Sequence, residues 1–141
     1  MVTNVISLNQ KCLINTLNIQ EPVINNYFSK LNEGNFEAVS NLFSIEGCLY
    51  PPFEKEICGR AAIAQYLKSE AKEIKALPKT FKIQSICDKN TQYQVTGYVK
   101  TSFFTVNVRW SIQLNATKEI VSAKVKLLAE LQDLVALKQA S

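Results

Sequence analysis

From Phe104 to Leu114 apolar and polar residues alternate without a break. Phe104, Val106, Val108, Trp110, Ile112 and Leu114 fall on one side, and Thr105, Asn107, Arg109, Ser111 and Gln113 on the other. A two-residue period of that length predicts a strand with one face buried and one wet. Such a strand cannot stand alone: its edges need neighbours and its apolar face needs cover. The neighbours are legible on both sides. Phe81, Ile83 and Ser85 alternate with Lys82 and Gln84, and Tyr93, Val95, Gly97 and Val99 alternate with Gln94, Thr96, Tyr98 and Lys100. Downstream, Asn115-Ala116-Thr117-Lys118 has hairpin-turn chemistry and leads into Val121, Ala123, Val125 and Leu127, which alternate with Ser122, Lys124 and Lys126.

The cover comes from the stretch Pro22 to Pro78, where the period is helical. Val23, Ile24, Tyr27, Phe28 and Leu31 share one face, with Pro22 suited to a first turn and Gly34 to a C-terminal stop. A second pattern starts at Asn35 as N-cap and places Phe36, Val39, Leu42 and Phe43 before Gly47. After the loop Tyr50-Pro51-Pro52-Phe53, a third puts Ile63, Tyr66, Leu67, Ala71 and Ile74 on one stripe and stops before Pro78. Three helices followed by a run of strands predict an α+β fold. A curved, mostly antiparallel sheet packs on three N-terminal helices as a cone, leaving an apolar pocket between the layers.

The chain of 141 residues is long enough for one buried core and too short for two ordinary domains. Its formal charge is +4, with no block of five like charges, which argues against nucleic acid as the main partner. Alternating Lys and Glu between Lys68 and Lys75 read as a solvated helix face. No apolar run approaches the roughly 18 residues of a membrane span, and the N-terminus lacks a signal-peptide layout, so a cytoplasmic protein is expected. Cys12, Cys48, Cys58 and Cys87 form no Cys-x-x-Cys pair, and histidine is absent. The expectation is therefore no metal site and four thiols kept reduced, with Cys12 the most oxidisable. Residues 1–20 read as an N-terminal arm whose scattered aliphatics would dock on the body, a partner or a groove, residues 21–129 as the domain, and 130–141 as a short amphipathic tail helix bearing Leu131, Leu134, Val135 and Leu137.

Four segments, NNYFSKLNEGNFEAVSNLF, LYPPFEKEICGRAAIAQYL, QVTGYVKTSFF and AKVKLLAELQDLVAL, resemble the C-terminal domain of the orange carotenoid protein of cyanobacteria. They resemble most its free-standing homologues, whose fold is similar to nuclear transport factor 2. The resemblance runs over about residues 20–138 and does not extend to the helical carotenoid domain. It implies a cyanobacterial homodimer, not an enzyme, that shares one ketocarotenoid of the echinenone or canthaxanthin type between two chains. The family stores or transfers this pigment, with a helical carotenoid protein as donor or acceptor, takes it up through transient membrane contact, and quenches singlet oxygen in photoprotection.

In that family a tyrosine on the first helix and a tryptophan on a central strand donate hydrogen bonds to the pigment's carbonyl, and the matching residues are Tyr27 and Trp110. Both have a broad apolar body and one polar tip that needs a partner when buried. The same matching assigns the tunnel wall to Ala71, Ile74, Ala76, Val99, Thr101, Phe103, Val108, Val125 and Leu127. Many relatives carry a second tryptophan where Phe103 stands, and some free-standing ones a cysteine near Phe104, so thiol control at that place is not expected. Glu70 falls on the apolar stripe of the third helix. In two-domain relatives a glutamate here bridges to the other domain, which makes Glu70 a candidate contact for a partner subunit or helical carotenoid protein; an exposed helix-end charge is the alternative.

A domain of this length has a radius of gyration of roughly 14 Å, and a full-length carotenoid would protrude from it. A second copy is expected to cover the remainder, with the tail at Leu131 to Leu137 gating the mouth. Two other readings compete. One is an isomerase or dehydratase of the same cone shape, with Glu70 as base and Tyr27 as oxyanion donor. The other is a ligand-free dimerisation module.

Overall fold

The computed structural model describes residues 21–128. The N-terminal arm, with Cys12, and the tail helix lie outside the described residues. Helix α1 (Pro22–Glu33) begins at the expected proline, and the Glu21 carboxylate caps it by accepting from the Val23 N–H at 3.4 Å. Gly34, at φ 78°, ends it: its N–H reaches the Leu31 carbonyl, and that of Asn35 reaches Lys30. Glu21 also ties the start of α1 to the far end of the sheet. Its Oε1 accepts from Lys118 Nζ at 3.0 Å and from Tyr93 Oη at 3.4 Å.

Helix α2 (Phe36–Ser40) is capped by Asn35, whose Oδ1 accepts from the Ala38 N–H. The sequence predicts that it continues through Phe43 toward Gly47, and here the structure differs. The chain turns at Asn41 and enters strand β1 (Phe43–Tyr50). Phe36, Val39 and Phe43 fit a helical stripe, but Phe43, Gly47 and Leu49 are also the buried residues of a strand. Pairing decides between the two readings. The Leu42 carbonyl accepts from the Ile120 N–H, and β1 lies parallel to the last strand. Gly47 is therefore not a helix stop. A Cβ there would sit 2.6 Å from the Ile120 carbonyl oxygen, so only glycine lets the two backbones approach.

A short strand β2 (Ile57–Cys58), also unforeseen, pairs antiparallel with β1 and places Cys58 opposite Cys48. The two are joined in a disulfide, which corrects the expectation of four reduced thiols; Cys87 is free and exposed. Helix α3 (Arg60–Glu70) follows. It stops short of the expected end, so Ala71 and Ile74 lie beyond it. Strand β3 (Lys75–Cys87) then starts before Pro78 rather than after it. The cause is Asn32 on α1, whose side chain bonds both backbone groups of Ala76, at 2.8 and 2.7 Å, and holds that segment extended. Pro78 is tolerated because β3 is an edge strand with a register shift between Pro78 and Thr80.

Strands β4 (Asn90–Lys100), β5 (Thr105–Leu114) and β6 (Ile120–Leu127) complete a six-stranded sheet in the order β2-β1-β6-β5-β4-β3. All neighbours are antiparallel except β1 and β6. The β5–β6 turn is built as expected on Asn115, whose Oδ1 accepts from the N–H groups of Thr117 and Glu119. Phe104 departs from expectation: β5 starts one residue later, and Phe104 is half-exposed in the preceding turn. The inner face of β4 to β6 packs Tyr93, Val95, Val108, Trp110, Ile112 and Ala123 against Ile24, Phe28, Leu31, Val39 and Ile63 of the helices. Among the described residues no helix is long and apolar enough to cross a membrane.

Candidate functional site

Between the helices and the inner sheet face lies a cavity of about 110 Å³. Tyr27 and Leu31 of α1 form one side, Tyr66, Leu67 and Glu70 of α3 another, Val99, Trp110 and Val125 the sheet side, and Leu49, Pro51 and Pro52 the end of β1. Ala71 and Ile74 close it beyond α3. Most of its wall is apolar. Cavities that enclose whole drug-sized ligands run to about 300–1,000 Å³, so this one has room for part of such a ligand rather than the whole.

Two donors face this space. Tyr27 is 3% exposed and Trp110 2%, and neither Tyr27 Oη nor Trp110 Nε1 has a hydrogen-bond partner among the described residues. Each tip keeps some accessible surface and so is free to donate to an acceptor that enters the cavity. Burial pushes the Tyr27 hydroxyl pKa well above its ordinary value, which keeps it neutral and donating. Phe28 holds the pair in place: its ring meets Tyr27 edge-on at 5.1 Å and Trp110 at 4.8 Å. Tyr66 is different, because its hydroxyl already donates to Glu54 at 3.0 Å. Burial first, then that bond and the charges of Glu54 and Glu70, push its pKa up as well.

Of the residues singled out by sequence, the structure brings Tyr27, Trp110, Ala71, Ile74, Val99, Val125 and Glu70 to one cavity. Ala76 and Val108 are fully buried in the core beside it, and Leu127 is half-buried against that core. Thr101 and Phe103 are not in the wall. They form the β4–β5 turn, where Phe103 is 91% exposed, because backbone pairing ends at Lys100 and Thr105. Glu70 is the last residue of α3 and is exposed, without an ion pair among the described residues. Leu31, Leu49, Pro51, Pro52, Tyr66 and Leu67 also line the cavity without having been singled out. Tyr66 and Leu67 were on the helical stripe and the prolines in the quoted loop, whereas Leu49 was hidden by the misread strand. Among the described residues no cluster of His, Cys, Asp and Glu could hold a metal ion.

A nuclear transport factor 2 domain model matches residues 19–119. The chain belongs to that domain family, and the six-stranded curved sheet with helices on one face is its architecture. Within the family it is similar to orange carotenoid-binding proteins: 31% identical over 78% of this chain to that of Synechocystis, and 27% over 91% to that of Limnospira maxima. It spans only 36% and 42% of those relatives. Its structure resembles the Anabaena orange carotenoid protein binding canthaxanthin, with a TM-score of 0.76 and 31% identity over 85% of this chain and 39% of that one. The likeness lies in the C-terminal domain. An epoxide hydrolase/cyclase-like enzyme of pyran ring formation shares the fold alone, at 20% identity and a TM-score of 0.59.

Proposed function

We propose that this protein is a carotenoid carrier that seats one end ring of a ketocarotenoid in the cavity, with the ring carbonyl accepting from Tyr27 and Trp110. The observation that supports this reading most is the pair of unpartnered neutral donors facing one small apolar space. A conjugated carbonyl is an acceptor with an apolar body attached, which matches both the donors and the walls. The two hydrogen bonds contribute roughly 1 kcal/mol each, while burial of the ring supplies the larger share. The rest of the polyene leaves the cavity, and a second copy shields it, each copy holding one ring. Storage and exchange of pigment with a helical carotenoid protein, and quenching of singlet oxygen, are the roles that such a complex serves. In this reading Glu70, which is exposed and lines the cavity, contacts the partner.

The test is the visible spectrum of protein loaded with canthaxanthin or echinenone, beside Tyr27→Phe and Trp110→Phe. Loading with a red-shifted band that relaxes in each variant, and affinity reduced about fivefold per lost bond, is the expected result. A protein that refuses pigment under conditions that load the related domain would overturn the reading. It would also turn attention to small carbonyl substrates with Glu70 as base.

A further inference from the structure

Of the buried side-chain nitrogen and oxygen atoms among the described residues, one lacks a hydrogen-bond partner: Nε of Arg109. Native proteins leave few such groups, and one that belongs to a cation calls for a physical reason. Arg109 lies on β5 between Val108 and Trp110, both buried in the core, so its side chain stands on the sheet face opposite the cavity. The three helices cover the other face. Neither the rest of the guanidinium nor the ammonium of neighbouring Lys126 meets an acceptor among the described residues.

Strand register gathers further cations around it. Lys126 of β6 stands directly opposite Arg109, and Lys124, on the same face of β6, stands opposite Ser111. Thr96 of β4 faces Arg109 from the other side. Like charges set opposite across strands repel and cost stability unless an anion lies between them. None is supplied by the neighbouring strands, since β3, β4, β5 and β6 contain no carboxylate. The acid of the sheet is Glu46 on β1, whereas Lys124 pairs with Tyr50 at the far end of that strand. The Lys124 ammonium lies 5.4 Å from the centre of the Tyr50 ring, which steadies it beside the pair. The sequence shows no block of like charge here; pairing of two alternating strands assembles it.

We infer that Arg109, Lys124 and Lys126 form a binding site for a tetrahedral oxyanion, the phosphoryl dianion of free phosphate or of a small phosphate monoester. The guanidinium fork takes two of its oxygens, and Lys126 meets a third as a point charge. Ser111 and Thr96, in the adjoining register positions, bring hydroxyl donors to the remainder. A carboxylate fits less well: its two oxygens are filled by the arginine fork alone, and its single charge leaves the lysines uncompensated. A nucleic-acid strand also fits less well. Tyr50 and Tyr98, the tyrosines of this face, lie under the ammonium groups of Lys124 and Lys79, so their rings offer no open platform for a base. The site faces away from the cavity and assumes nothing about a pigment.

The experiment titrates the full chain, pigment-free, with inorganic phosphate and separately with glycerol 3-phosphate. Backbone amide NMR reads each titration, with chloride holding the ionic strength constant. The expected result is saturable shifts centred on residues 109–111 and 124–126, absent with chloride alone and weaker with acetate. Affinity falls about tenfold in each of Arg109→Gln and Lys126→Gln. Lys82→Gln, on the same face but out on β3, leaves it unchanged. Saturable binding of either ligand supports the site, and the tighter of the two identifies the source of the phosphoryl group. Shifts that never saturate, or binding undiminished in Lys126→Gln, would overturn the site. An equal loss in Lys82→Gln would overturn it too, by reducing the effect to the general field of the sheet. Because Lys126 is exposed, its variant decides the matter even if Arg109→Gln fails to fold.

Discussion

In Tyr27 and Trp110 the apolar body is buried while the polar tip has no partner among the described residues. Each is anchored by its apolar body, with Phe28 edge-on to both, so the polar tip is oriented without being consumed. The contrast with Tyr66 and Tyr93 is instructive: those hydroxyls are committed to Glu54 and Glu21. All three tyrosines hold their protons more firmly than free tyrosine. Burial raises Tyr27, burial with Glu54 and Glu70 raises Tyr66, and burial with Glu21 raises Tyr93 against the opposing charge of Lys118. Lys118 is raised too, by its bond to Glu21, although its exposed position makes its share small. The sign is common to the set. An unfolded tyrosine loses its proton near its ordinary value of 10.0 while the folded one keeps it, so above that pH the native state binds more protons. Stability to urea should be level through neutral pH and fall as pH rises past about 10, with Tyr27→Phe flattening the fall. A midpoint unchanged at alkaline pH would contradict it.

At the scale of elements, the loop between β1 and β2 is a wall of the cavity through Pro51 and Pro52, and it is closed by the Cys48–Cys58 disulfide. A two-residue strand on the sheet edge has little pairing of its own, so the covalent link does much of its fastening. Cys48→Ser, or reduction of the wild type, should lower unfolding stability by about 2–3 kcal/mol for a loop this short. It should also weaken ligand retention; equal midpoints with and without reductant would refute this. The β5 and β6 strands and their turn were legible because one face is buried, the other is wet, and Asn115 carries the turn. Strand β1 was not legible. Phe36, Val39 and Phe43 satisfy a helical period as well as Phe43, Gly47 and Leu49 satisfy a strand, and only the distant β6 backbone settles the matter. Nor could the spacing of Cys48 and Cys58 announce a cross-strand pair when β2 itself is two residues long. Tyr27 and Trp110 were reached through the quoted motifs, and the structure brings both to one cavity, while Phe28 as their shared brace was hidden, since contact between three rings is a property of the packed state.

For the molecule as a whole, the cavity of about 110 Å³ bears on the assembly that the proposed function requires. On the proposed reading one end ring is enclosed and the exposed polyene is better shielded by a second copy than by water. Loading with a pigment bearing a carbonyl ring at each end should therefore convert the protein to one pigment per two chains, measured by light scattering together with absorbance; one pigment per monomer at all concentrations would reject the shared arrangement. The parallel pairing of β1 with β6 has a consequence of a different kind. It joins the first strand of the described chain to the last, and the cavity takes Leu49 from one and Val125 from the other. Until β6 has been made, β1 has only the two-residue β2 beside it and the cavity lacks a side. On the proposed reading, pigment enters only after translation, into a chain that has already folded.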